Sequence, residues 1–179
     1  YNNVMKKKKH AIIPIFIPHR GCPNDCVFCN QRKITARAQA PGKSEMISTI
    51  KTYLSTLSCP RPDVIEIAMY GGSFTGIPLE AQRDYLSVAL EYKKRGLVDK
   101  IHLSTRPDYI DPEILAHLRS FQVDVIELGV QSFDDEVLRL SNRGHNSEIV
   151  YESSRLILES GFTLGIQLMI GLPGDSREA

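Results

Sequence analysis

The fold of this chain is decided by three consecutive segments: Val64-Ile-Glu-Ile-Ala-Met-Tyr70, the helical pattern Leu79–Arg95, and Lys100-Ile-His-Leu-Ser104. The first and third segments are short, mostly apolar runs, which are typical of buried strands. The middle segment has apolar residues at helical spacing and is long enough to carry the chain back along a sheet. Together they predict a βαβ unit with two parallel strands.

The same alternation extends in both directions. Further strands are predicted at Ala11–Ile17, Asp124–Val130 and Thr163–Ile170, and further helices at Ser44–Leu57, Asp111–Ser120, Asp134–Leu140 and Ser147–Ser160. Five strands separated by helices predict an α/β domain built on a parallel sheet.

Local signals mark the ends of these elements. Ser44 and Asp111 are predicted at helix N-termini, and Gly96 and Gly161 at helix C-termini. Pro14 cannot donate to a sheet ladder, so the first strand is predicted at a sheet edge. Since a closed barrel has no edge, an incompletely closed (β/α) barrel or an open sheet fits better than a complete eight-fold barrel.

The composition excludes several classes of protein. Lys and Arg number 22 against 21 Asp and Glu, so a net charge of +1 gives no global attraction to nucleic acid. The basic run Lys6–Lys9 is interpreted as part of a solvated N-terminal tail, residues 1–10. No apolar run approaches the ~20 residues that span a bilayer, so we expect no membrane association.

The strongest chemical signal is Cys22-Pro-Asn-Asp-Cys26-Val-Phe-Cys29, in the loop after the first strand, with Cys59 standing apart. Such clustering predicts metal ligation in a reducing, cytoplasmic environment rather than a disulfide framework. Three thiolates can hold a cubane cluster and leave its fourth iron without a protein ligand. Two alternatives stay open: a zinc-binding interaction module and a four-cysteine electron-transfer protein.

Polar and glycine-rich segments follow the other strands. Tyr70-Gly-Gly-Ser-Phe-Thr-Gly76 ends the second strand; Ser104–Pro107, Glu127–Ser132 and Gln167–Gly174 end the next three. Carboxyl ends of barrel strands are where barrel enzymes place their sites. An ordinary βα turn is the alternative for the glycine pair.

The cysteine loop, with Phe28 before its third cysteine, resembles the signature of the radical S-adenosylmethionine superfamily. The resemblance implies that Cys22, Cys26 and Cys29 hold a [4Fe–4S] cluster whose open iron is chelated by the amino and carboxylate groups of S-adenosylmethionine. Phe28 would lie against the adenine, and the backbone of the Gly71–Gly72 turn would receive the methionyl amino group. The family often has Glu where this chain has Ser73.

The stretch Gly129-Val-Gln-Ser-Phe-Asp-Asp-Glu-Val-Leu138, followed by Asn142-Arg143, resembles oxygen-independent coproporphyrinogen III oxidase and the radical domain of the Elongator catalytic-subunit family. By motif match, Ser104, Gln131, Arg143 and Gln167 would line the S-adenosylmethionine pocket. Gln131 and Gln167 would contact the ribose or adenosyl portion, and Arg143 the carboxylate. The positions of Ser104 and Gln167 are acidic in the porphyrin enzyme.

These resemblances imply a radical enzyme whose core, residues 11–179, is a partial TIM-type (β/α)6 barrel. Five βα units are visible, so we expect the domain to be truncated at its C-terminus. The implied reaction is reductive cleavage of S-adenosylmethionine to a 5′-deoxyadenosyl radical, with a flavodoxin- or ferredoxin-like protein as electron donor. The Elongator-like branch further implies tRNA wobble-uridine modification and a missing C-terminal domain; a porphyrinogen-oxidase-like enzyme is the alternative. No residue is identified that acts on the substrate.

Overall fold

The computed structural model describes residues 9–18, 25–29, 40–57 and 60–176. Five strands alternate with helices, as the sequence predicts. The strands are β1 His10–Ile17, β2 Val64–Gly71, β3 Lys100–Thr105, β4 Val125–Gln131 and β5 Thr163–Leu168. The helices are α1 Lys43–Thr56, α2 Leu79–Lys94, α3 Pro112–Ser120, α4 Asp135–Leu140 and α5 Ser147–Glu159. Short 3-10 turns lie at Phe74–Gly76 and Pro107–Tyr109.

The strands form one parallel sheet in the order β1-β2-β3-β4-β5. β1 lies at one edge, which confirms the prediction from Pro14, and within the described residues β5 lies at the other edge. Because β1 and β5 are not paired with each other, the sheet is an unclosed α/β barrel. All carboxyl ends of the strands therefore meet along one rim.

The two faces of the sheet differ in chemistry. Alternate strand positions on one face, such as Ile13, Ile67 and Leu128, are fully buried in the hydrophobic core with residues of the helices. The opposite face carries polar side chains at intervening positions, among them His102 and Glu127. The apolar face anchors the helices, which leaves the other face free to line a cavity.

Helix α3 begins as the sequence predicts. The Asp111 carboxylate accepts a hydrogen bond of 2.7 Å from the Ile114 amide, and Pro112 occupies the first turn. Gly96 and Gly161, at φ +68° and +80°, follow helices α2 and α5. The prediction for Ser44 is wrong: α1 begins one residue earlier, Gly42 is its N-cap, and no side chain caps it.

This difference yields a stability prediction. Asp111→Ala should lower the free energy of unfolding by about 1 kcal/mol, because the Ile114 amide in the first turn of α3 loses its acceptor. Ser44→Ala should change stability by less than about 0.5 kcal/mol, since Ser44 caps nothing. Urea unfolding of both variants measures the pair, and equal effects would contradict the assigned caps.

In the part of the chain that the structure describes, no helix combines the length and the apolar character that a membrane crossing requires.

Candidate functional site

A cavity of about 610 Å³ lies at the carboxyl rim of the sheet. Every predicted site residue that the structure describes lines it: Cys26, Phe28, Cys29, Gly71, Gly72, Ser73, Ser104, Gln131, Arg143 and Gln167. Cys22 lies outside the described residues. The volume is within the range of small-molecule sites, about 300–1,000 Å³.

The cysteine loop is held against the segment that follows α4. The Val27 amide donates to the Ser141 carbonyl at 3.1 Å, and the Asn142 side-chain amide reaches the Asp25 carbonyl at 3.5 Å. Within the loop, the Cys29 amide donates to the Cys26 carbonyl at 2.9 Å, which closes a tight turn and turns both cysteines to the cavity.

Arg143 connects this loop to the sheet. Its Nη1 lies 3.6 Å from Cys26 Sγ, and its Nη2 donates to the Gly129 carbonyl. Arg143 and Cys26 are buried, at 6% and 5% exposure. Arg143 therefore joins the cysteine loop to strand β4 inside the protein.

The glycine pair is shaped by strand β1. Gly71 has φ +119°, and a Cβ there would lie 2.5 Å from the Ile17 carbonyl oxygen. The Gly72 amide donates to that same oxygen at 3.0 Å. The turn therefore packs its backbone against β1 while it lines the cavity.

Buried hydroxyl groups fix the rim between β2 and β3. Thr105 Oγ1 lies 2.8 Å from Ser73 Oγ and 2.5 Å from Thr75 Oγ1. Ser73 Oγ also accepts from the Arg106 amide at 3.3 Å. The Ser73 hydroxyl thus holds the turn in place, and Ser73 has only 2% exposure.

Gln131 has an unusual backbone. Its φ is +80°, and the β4–β5 register is irregular between Gly129 and Gln131. The side chain is buried, and its Oε1 has no hydrogen-bond partner among the described residues. A strained residue with an unsatisfied acceptor beside a cavity points to a ligand-binding role. Gln167 lies on the neighbouring β5, paired with Gly129, and is exposed.

Several cavity residues are not identified from the sequence: Phe16, Tyr70, Thr105, Arg106, Glu127, Gly129, Leu168 and Met169. All but Phe16 lie in the strand-end segments that the sequence predicts to form the site, and Phe16 lies next to the carboxyl end of β1. What the sequence does not show is which side chains of those segments face the cavity. Arg106 forms a fork with Asp108, with distances of 2.8 and 3.0 Å, and its Nη2 donates to the Arg143 carbonyl at 2.9 Å.

His145, two residues after Arg143, is buried away from the cavity. Burial and then the charge of Arg143 lower the pKa of His145 to about 4. In the unfolded chain its pKa is ordinary, about 6.5, so between these values the unfolded state binds more protons. His145 therefore stabilises the fold fully above pH 6.5, and that contribution is lost as the pH falls towards 4.

We expect the free energy of unfolding to fall by about 2 kcal/mol between pH 7 and pH 5 because of this residue. His145→Asn should remove that part of the pH dependence, whatever its effect at pH 7. Urea unfolding at the two pH values, with the exposed-face variant Arg155→Gln as control, measures it. An unchanged pH dependence in His145→Asn would contradict the assignment.

The fold and the site define a class: an α/β enzyme with an incompletely closed parallel barrel, and a ligand cavity beside a cysteine loop at its carboxyl rim. A model of the Radical SAM superfamily matches residues 16–179, and the chain belongs to this superfamily of enzymes.

Curated relatives agree with this membership. The chain is 31% identical over 204 residues to the tRNA uridine(34) acetyltransferase of Methanocaldococcus infernus, covering 94% of this chain and 38% of that protein. It is 33% identical over 134 residues to human Elongator complex protein 3, covering 65% of this chain and 24% of that protein. The chain thus spans less than two fifths of either relative.

Solved structures share the fold. The archaeal Methanocaldococcus infernus Elp3 superposes with a TM-score of 0.69 at 22% identity, covering 96% of this chain and 40% of that one. Coproporphyrinogen III oxidase (HemN) from Escherichia coli superposes with a TM-score of 0.61 at 21% identity, covering 96% of this chain and 39% of that one. The predicted partial TIM-type barrel is confirmed.

Proposed function

We propose that this chain binds a [4Fe–4S] cluster through Cys22, Cys26 and Cys29 and cleaves S-adenosylmethionine reductively in the adjoining cavity. The observation that carries the proposal is the convergence of the described candidate residues, from four strands and three loops, on one cavity. Family membership supports the same reaction.

The residues present fit the cluster. Cys26 and Cys29 line one wall of the cavity, and no disulfide engages either of them. The Arg143 guanidinium lies 3.6 Å from Cys26 Sγ, where it can donate a hydrogen bond to a sulfur ligand of the cluster. Among the described residues no group of three metal-binding side chains is complete, and the third predicted ligand, Cys22, lies outside them.

When bound and reduced, the cluster supplies one electron to the sulfonium of S-adenosylmethionine, and the carbon–sulfur bond breaks to give methionine and a 5′-deoxyadenosyl radical. The chain positions the reactants and excludes competing reactions. Gln131, with its unpaired Oε1, and Gln167 would hold the ribose or adenosyl portion. Phe28 would pack on the adenine, and Arg143 would hold the carboxylate.

Anaerobic reconstitution tests the proposal. The protein should take up iron and sulfide in equal amounts and turn brown, and with dithionite it should convert S-adenosylmethionine to 5′-deoxyadenosine. Protein that instead stays colourless, holds about one zinc per chain and binds no S-adenosylmethionine would overturn the proposal in favour of a zinc module.

We further propose that the substrate is a tRNA wobble uridine, with electrons delivered by a flavodoxin- or ferredoxin-like protein in the cytoplasm. The support is the relative from Methanocaldococcus infernus, which is named a tRNA uridine(34) acetyltransferase. Binding of the reconstituted protein to a tRNA with U34, and to the same tRNA with C34, tests it. Equal affinity for both would overturn uridine recognition by this chain.

A further inference from the structure

The cavity holds one carboxylate among its described lining residues, that of Glu127 on β4. Its two arginines are already engaged: Arg106 by Asp108, and Arg143 by Cys26 and the Gly129 carbonyl. A carboxylate that lines a cavity can accept about four hydrogen bonds. Removing its negative charge from water costs free energy unless a cation lies near it.

Glu127 is held firmly in place. The Ser104 hydroxyl donates to its Oε1 at 2.8 Å, from the position that pairs with Glu127 across the β3–β4 ladder. On the other side lies Gly165, where a Cβ would come within 3.3 Å of the Cβ and Cγ of Glu127. A glycine at this place leaves the room that the Glu127 side chain occupies.

The residues that the structure describes supply little positive charge to this carboxylate. Among the described residues no Lys or Arg pairs with Glu127; the nearest basic atom is His102 Nε2, 3.8 Å from Oε2. His102 is itself engaged through Nδ1 with Glu66 at 3.2 Å. The side chain of Glu127 is 27% exposed, towards the cavity. A cationic group on the ligand would fit beside this carboxylate.

We propose that Glu127 binds the positively charged sulfonium end of S-adenosylmethionine and selects it over the neutral thioether S-adenosylhomocysteine. The inference rests on the proposed function. The sulfonium is chosen over the amino group for a chemical reason. An amino group that chelates iron has donated its lone pair to the metal, so it is neutral and not an ammonium. In that complex the sulfonium is the ligand's remaining cation.

The two ligands differ by one methyl group and one charge, so they form a matched pair of probes. In anaerobic equilibrium dialysis with cluster-loaded protein, Glu127→Gln should weaken S-adenosylmethionine binding about tenfold and S-adenosylhomocysteine binding less than about twofold. Gln keeps an acceptor for Ser104, and retained S-adenosylhomocysteine binding shows that the variant is folded. Glu66→Gln, which removes a carboxylate outside the cavity lining, should leave the ratio of the two affinities unchanged.

Equal losses for both ligands would overturn the proposal, because the contact would then be to a group they share, such as the ribose. Unchanged affinity for S-adenosylmethionine would overturn it as well. If the wild-type protein assembles no cluster or binds neither ligand, the proposed function itself fails. That outcome differs from one in which the wild-type protein binds both ligands and the Glu127→Gln variant binds them equally well.

Discussion

Cys26→Ala is expected to abolish cluster assembly, with iron and sulfide falling below about a tenth of wild-type occupancy. The variant keeps only two of the three proposed thiolate ligands, and two are too few to retain a [4Fe–4S] cluster. Cys26 is the cysteine whose Sγ lies beside Arg143, so its loss also removes a sulfur acceptor from a buried guanidinium. Metal analysis and the visible absorption of anaerobically reconstituted protein measure the effect.

Cys59→Ala is the matched control. Cys59 stands apart from the cysteine loop in the sequence and lies outside the described residues, and we expect the variant to keep roughly full occupancy. Far-UV circular dichroism checks that both variants fold. A brown Cys26→Ala protein with wild-type iron content would refute the ligand assignment, and loss of the cluster in Cys59→Ala would indicate a fourth protein ligand.

Gly71→Ala is expected to lower the free energy of unfolding by more than about 2 kcal/mol, or to prevent folding. The reason is twofold. At φ +119° an L side chain is strained, and its Cβ would lie 2.5 Å from the Ile17 carbonyl oxygen and 3.0 Å from the Ile17 carbonyl carbon. Both are backbone atoms of β1, which cannot move aside without breaking the β1–β2 ladder.

Gly96→Ala separates the two causes. Gly96 also has positive φ, +68°, but a Cβ there meets nothing within 4 Å. Only the backbone strain remains, and we expect a loss of about 1 kcal/mol. Urea unfolding of the two variants measures the difference. Similar losses at both positions would mean that the close approach of Gly71 to β1 is not a determinant of stability.

The glycine pair has a structural role beside its place in the cavity lining. From the sequence, Gly71 and Gly72 are predicted to let a ligand approach the backbone. In the structure Gly71 is first required by its own neighbour, β1, and both glycines line the cavity as a consequence of that packing. No local pattern distinguishes a glycine needed by a strand from one needed by a ligand.

Much of the fold could be predicted because its signals are local. The alternation of apolar runs with segments of helical spacing predicts all five strands. Pro14 predicts the edge position of β1, because a strand that lacks one amide donor is tolerated at the edge of a sheet. Ser44 shows the limit of such local signals. A serine near a helix start is a common N-cap, but α1 begins at Lys43, so Ser44 lies inside the helix.

The residue patterns are sufficient to predict the order of the elements, the parallel sheet and the set of strand ends where a site would form, because parallel strands bring their carboxyl ends to one rim. The contacts that hold the site together become visible only in the folded chain. Arg143 and Cys26 lie 117 positions apart, and Ser104 meets Glu127 through the β3–β4 register. Such contacts depend on ladder register and loop packing, which residue patterns along the chain do not encode.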